Sequence, residues 1–171
     1  MKKLIAMTIL GLLSMHSFAQ CDNYQYYMQE VVDNADDAEE YAEEAYDNAR
    51  KAYYADNLED AQYYAKKAMN AAEEAQDVAD DAEDAASNAN SAASNCDCYD
   101  GQSYASNAED SSDDAEEYAE ETYDNARKAY YADNLKDAQY YAKKAMNTAK
   151  DAQDEADDAE DEGYKGLSSC D

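Results

Sequence analysis

Residues 36–70 read DDAEEYAEEAYDNARKAYYADNLEDAQYYAKKAMN, and residues 113–147 repeat them with two changes. The likeness continues through residue 84 in the first copy and 161 in the second. Across those 49 aligned positions, at an offset of 77 and without a gap, 43 are identical. A duplication of this kind makes each copy a structural unit.

Within the first copy, alanine falls at 35, 38, 42, 45, 49 and 52. The steps alternate three and four, which puts every one of these methyl groups on one stripe of a helix. The stripe runs backward through Val31, Met28 and Tyr24 to Cys21. A second stripe begins at Leu58 and runs through alanines 61, 65, 68, 72, 75, 79, 82, 86, 89 and 93 to Cys96. Both are heptad seams with alanine at the inward positions.

The two seams are out of phase. Continuing the first would put its next inward position at Asp56, whereas the second starts at Leu58. An offset of two is neither a stutter nor a stammer, which argues for a break there, although no Gly or Pro forbids the alternative of one uninterrupted helix per repeat. Asp56 and Asn57 suit a helix cap, and Glu59 and Asp60 suit the positive start of a helix. The spacing predicts a helix over 23–55, a turn at 56–57 and a helix over 58–94. Asp133, Asn134 and Leu135 repeat the turn in the second copy.

The expected fold is all-α: two tandem antiparallel alanine-zipper hairpins, coiled-coil-like. Periodicity leaves open whether they pack as a four-helix bundle or stack end to end. At 1.5 Å per residue each helix is about 50 Å long.

The first 19 residues have a different character. Lys2 and Lys3 precede an apolar run at 4–13, and Ser17 and Ala19 place small residues ahead of Gln20. This is the layout of a secretory signal peptide, and it predicts export to the periplasm or cell exterior. Cys21 invites a lipid anchor, but Gln20 before it is not small, so a soluble exported chain is expected. The run is too short for a membrane span. The domain boundaries read as 1–19 signal, 20–97 first hairpin and 98–171 second hairpin.

Cys21, Cys96, Cys98 and Cys170 allow three pairings. Cys21 and Cys96 both end a seam at the open end of the first hairpin. Cys98 is the counterpart of Cys21 at offset 77. The expected bridges are therefore Cys21–Cys96 and Cys98–Cys170, one staple per hairpin, which an exported compartment permits.

The chain carries a formal charge of −29, which becomes −31 once Lys2 and Lys3 are removed with the first 19 residues. Such a surface repels nucleic acid and anionic lipid. It points to a cationic partner or to weak, collective binding of divalent cations such as Ca²⁺. No residue set forms a specific metal site. His16, the one histidine, lies in the leader. Without a histidine base, a glycine-rich phosphate loop or a concave apolar pocket, no catalytic residue and no cofactor is expected.

The basic residues gather with tyrosines around the proposed hairpin tips. The first tip has Arg50, Lys51, Lys66 and Lys67 with Tyr53, Tyr54, Tyr63 and Tyr64. The second has Arg127, Lys128, Lys143 and Lys144 with Tyr130, Tyr131, Tyr140 and Tyr141. Aromatic rings with Arg and Lys are interface chemistry, and these sixteen residues are the candidate partner-binding tips. The surplus acid is expected at the open ends, as in 77–84 and 154–162.

The leading functional expectation is a non-catalytic, rigid, disulfide-stapled scaffold or spacer that docks a protein partner, or another copy, through its tips. Two others stand beside it: a polyanionic cation-binding or mineral-interacting protein, and a periplasmic holdase.

Overall fold

The computed structural model describes the backbone of residues 2–170 and the side chains of residues 21–170. The side chains of the expected signal segment, 1–19, lie outside the described residues. Among the described residues four helices follow one another: α1 Lys2–Tyr53, α2 Leu58–Asn95, α3 Tyr99–Tyr130 and α4 Leu135–Leu167. The helix breaks fall where the two alanine seams lose phase.

Each tip turn is held by an asparagine. Asn57 is extended (φ −143°, ψ 163°), and its Oδ1 accepts from the Asp60 amide at 2.9 Å. Its Nδ2 donates to Asp60 Oδ2 at 2.7 Å, so cap and third residue satisfy each other. Asn134 and Asp137 repeat this at 3.0 and 2.7 Å. Replacing Asn57 or Asn134 with alanine is expected to cost about 1 kcal/mol each. In a chain of this size that lowers the melting midpoint by about 2–4 °C, measurable by circular dichroism.

The four helices close into a ring: each packs along both sequence neighbours, and α1 packs along α4. The hairpins thus lie side by side as one antiparallel four-helix bundle with a single seam. Its layers are quartets of alanine, one from each helix. Ala52, Ala65, Ala129 and Ala142 form the layer nearest the tips, then Ala49, Ala68, Ala126 and Ala145. Further in come Ala42, Ala75, Ala119 and Ala152, then Ala38, Ala79, Ala115 and Ala156. Methyl groups facing methyl groups let backbones approach closely, which is how a chain with so few large aliphatics still makes a dry core.

Between these layers the two copies differ as a pair. Ala45 and Ala71 of the first become Thr122 and Thr148 of the second. The two threonine hydroxyls meet at 2.8 Å, and Thr122 Oγ1 also lies 2.8 Å from the Tyr118 carbonyl. The hydroxyls enter the seam together, so the buried one is satisfied.

At the disulfide end the seam changes from small to large. Tyr24, Met28 and Val31 are the largest fully buried hydrophobic side chains. They sit against Gly101, Gly163 and Gly166. A Cβ on Gly101 would come 2.9 Å from Tyr24 Cζ, one on Gly166 2.5 Å from Met28 Cε and 2.8 Å from Tyr24 Oη, and one on Gly163 2.7 Å from Val32 Cγ2. These glycines are there for space. Tyr24 and Gly101 occupy the same position of the two copies, so the large side chain of one fills the gap left by the other. The Tyr24 hydroxyl donates to the Gly101 carbonyl at 3.3 Å and meets Ser169 Oγ at 3.2 Å. Burial pushes its pKa up.

Cys21 pairs with Cys96 and Cys98 with Cys170, at Cα separations of 5.7 and 5.8 Å. Both bridges are the expected ones. Two such bridges point to an oxidising compartment. Among the described residues, no helix is long and apolar enough to cross a membrane.

Candidate interaction surface

The tip tyrosines divide into two sets of four. Tyr53, Tyr64, Tyr130 and Tyr141 are half-buried and lie over the last alanine layer, sealing the end of the core. Tyr54, Tyr63, Tyr131 and Tyr140 face solvent, at 70, 55, 70 and 56% exposure. Each exposed ring stands edge-on to its inner neighbour, with centroids 4.7 Å apart for Tyr53–Tyr54 and Tyr130–Tyr131 and 5.1 Å for Tyr63–Tyr64 and Tyr140–Tyr141. The inner ring therefore fixes the outer one.

The two tips form one surface. Lys66 lies over the Tyr130 ring at 5.9 Å and Lys143 over Tyr53 at 5.8 Å, each reaching across to the other hairpin. Gln62 Nε2 donates to the Ala132 carbonyl and Gln139 Nε2 to that of Ala55, both at 2.9 Å. Nothing in the sequence marked these glutamines, whose role exists only once the hairpins are paired. Lys67 and Lys144 cover Tyr63 and Tyr140 on their own helices, each at 5.3 Å. All eight tip bases, Arg50, Lys51, Lys66, Lys67, Arg127, Lys128, Lys143 and Lys144, are exposed. Asp47 pairs with Arg50 at 3.6 Å, and Asp124 lies 4.0 Å from Arg127 and 3.9 Å from Lys128. Asp124, Arg127, Lys128 and Tyr131 line an open hollow of about 310 Å³.

The expected polyanionic open end is corrected by the register. Segments 77–84 and 154–162 pack at the middle layers, beside Ala38 and Ala115. Along the bundle the tip third (residues 46–72 and 123–148) has a net charge of +2, and the middle third (33–45, 73–85, 109–122 and 149–162) has −29. The disulfide third (21–32, 86–108 and 163–170) has only −3 and exposes Tyr26, Tyr99 and Tyr164. The molecule is a rod with a polyanionic waist and two aromatic ends.

At the waist two carboxylate triads bridge the hairpins: Asp36, Glu39 and Glu160, and Asp80, Glu83 and Glu116. Gln153 holds Glu39 at 3.1 Å and Gln76 holds Glu116 at 3.2 Å. The Glu83 carboxyl is pushed up by burial and then by Asp113, Glu116, Asp80 and Glu109. Glu160 is raised by burial and by Asp36, Glu39 and Asp157. Glu155 is raised by burial and by Asp114, Asp158, Asp154 and Asp151. These groups bear mutual repulsion, which protonation or a counter-cation would relieve.

Comparison with protein families, with characterised proteins and with solved structures finds no match to this chain.

Proposed function

We propose that this protein is an exported, non-catalytic spacer that presents its tip surface to a protein partner. The observation that carries the reading is the outer set of tyrosines, Tyr54, Tyr63, Tyr131 and Tyr140. They stay exposed while four identical neighbours complete the core, and the bridged bundle beneath holds them in place. Exposed rigid aromatics ringed by Arg and Lys gain affinity with little ordering cost. Elsewhere the surface is charged and repulsive, so docking is confined to the ends. The leader at 1–19 and the two bridges support export, and the lack of histidine beyond residue 19 supports a non-catalytic role.

The test uses a photo-crosslinking residue placed at Tyr54 or Tyr131, with waist position Asp81 as control, in the native exported fraction. The expected result is one discrete adduct from the tip positions and none from the waist. Replacing all four outer tyrosines with serine should remove that adduct and leave helicity unchanged. An adduct that forms equally well from the waist, or that survives the four serines, would overturn the reading.

A further inference from the structure

We propose that the two hairpins exchange between copies of this chain, hinging at Asp97, to give a dimer of two composite bundles joined at their disulfide ends.

The interface between the hairpins is made twice from the same contacts, related by the 77-residue offset. Gln62 to the Ala132 carbonyl is repeated by Gln139 to that of Ala55, and Gln76 to Glu116 by Gln153 to Glu39. Lys66 over Tyr130 is repeated by Lys143 over Tyr53. Each bridge lies within one hairpin, so the two can exchange without any disulfide being broken. Between the bridges the connection is one residue, Asp97.

That residue is strained. Helix α2 ends with the Cys98 amide bonded to the Ala93 carbonyl at 3.0 Å and the Asp97 amide to that of Ser94 at 3.5 Å. This arrangement wants a left-handed residue at position 97, usually glycine. Here it is aspartate at φ 60°. Short strained hinges favour exchange, because opening removes the strain while the partner restores the contacts between hairpins.

Partner choice is fixed at the disulfide end. Tyr24 needs the gaps at Gly101 and Gly166, and Val32 needs the gap at Gly163. Two first hairpins would bring Tyr24 against Tyr24, and two second hairpins would leave a void. Only a first with a second fits, and a second hairpin from another copy fits as well as the chain's own. Charge allows the geometry. The ends that would meet carry a net −3 each, while the −29 waists stay several screening lengths apart at physiological salt.

The test is light scattering on the secreted, oxidised protein, concentrated at 0.15 M salt and then diluted. The expected result is a dimer fraction that grows with concentration and relaxes slowly. Two variants act on the hinge alone. Asp97→Gly accepts the left-handed turn and should lower the dimerisation constant by on the order of tenfold per hinge. Asp97→Pro forbids it and should make dimer dominant. Gly166→Ala crowds the closed and exchanged interfaces alike, so it should lower the melting temperature without changing the dimer fraction. A protein that stays monomeric at high concentration in both the parent and Asp97→Pro overturns the proposal. So does a dimer whose fraction ignores both hinge variants.

Discussion

Reduced with dithiothreitol, or carrying serine in place of all four cysteines, the protein is expected to lose most of its helical circular dichroism at 37 °C. The bridges span 75 and 72 residues, and closing a loop of that length removes unfolded-state entropy worth roughly 4 kcal/mol. A domain of this size is stable by about 5–15 kcal/mol in all. The alanine core has little reserve to replace two such contributions. Each buried methyl group brings far less than a leucine would, on the order of 0.8 kcal/mol per carbon. Removing one bridge should lower the melting midpoint by roughly 10 °C, since each kcal/mol moves a chain this long by about 2–4 °C. Cys98→Ser with Cys170→Ser should do more harm than loss of the other bridge. The Cys98 and Cys170 sulfurs wall the slot at Gly101 where Tyr24 seats. A reduced protein that melts within about 2 °C of the oxidised one would show that the seam alone suffices.

The bridges were legible in the sequence because Cys21 and Cys96 each continue a stripe that can be counted without knowing what it faces, and Cys98 repeats Cys21 at the 77-residue offset, leaving Cys170 as its partner. The same holds for the turns, where a two-residue phase slip at Asp56 argued for a break. The side-by-side arrangement was not legible. Alanine at 49 has the same spacing whether it meets one helix or three. The Tyr24–Gly101 fit was hidden for the same reason, because a large residue and a gap 77 positions apart become complementary only when the copies face each other. Charge was misplaced at the open end by counting outward from the tip along one hairpin. The turns at 21–32, 86–108 and 163–170, rich in serine, asparagine and tyrosine, extend the bundle past the acid. At the tips the sequence shows aromatic and basic residues together, but it could not say which tyrosine of each pair turns inward.

Lowering the pH from 8 towards 4.5 is expected to raise the melting midpoint, the reverse of ordinary acid denaturation. Glu83, Glu155 and Glu160 all have carboxyls raised in the folded state, by burial first and by neighbouring acids next. A raised carboxyl favours folding when it is protonated. Its contribution is complete below the unfolded value of about 4.3 and fades as pH climbs through the folded value. Glu162 runs the other way. The Lys165 ammonium, 2.7 Å away, is the main cause that lowers it, so its contribution is lost only below the ordinary carboxylate range. Stability should therefore climb as pH falls to about 4.5, then flatten or dip below pH 4. Above pH 10 the raised Tyr24 hydroxyl adds an alkaline limb, because ionising it would put a charge into the seam beside Gly101. Replacing Glu83 and Glu160 with glutamine should lift the midpoint at pH 8 and flatten the acid slope. Salt should act in the same direction by screening the −29 waist. If millimolar Ca²⁺ gives no more stabilisation than sodium at equal ionic strength, the carboxylates act as a diffuse field. The waist then serves to hold copies and partners off the sides of the rod and leave the aromatic ends free to engage.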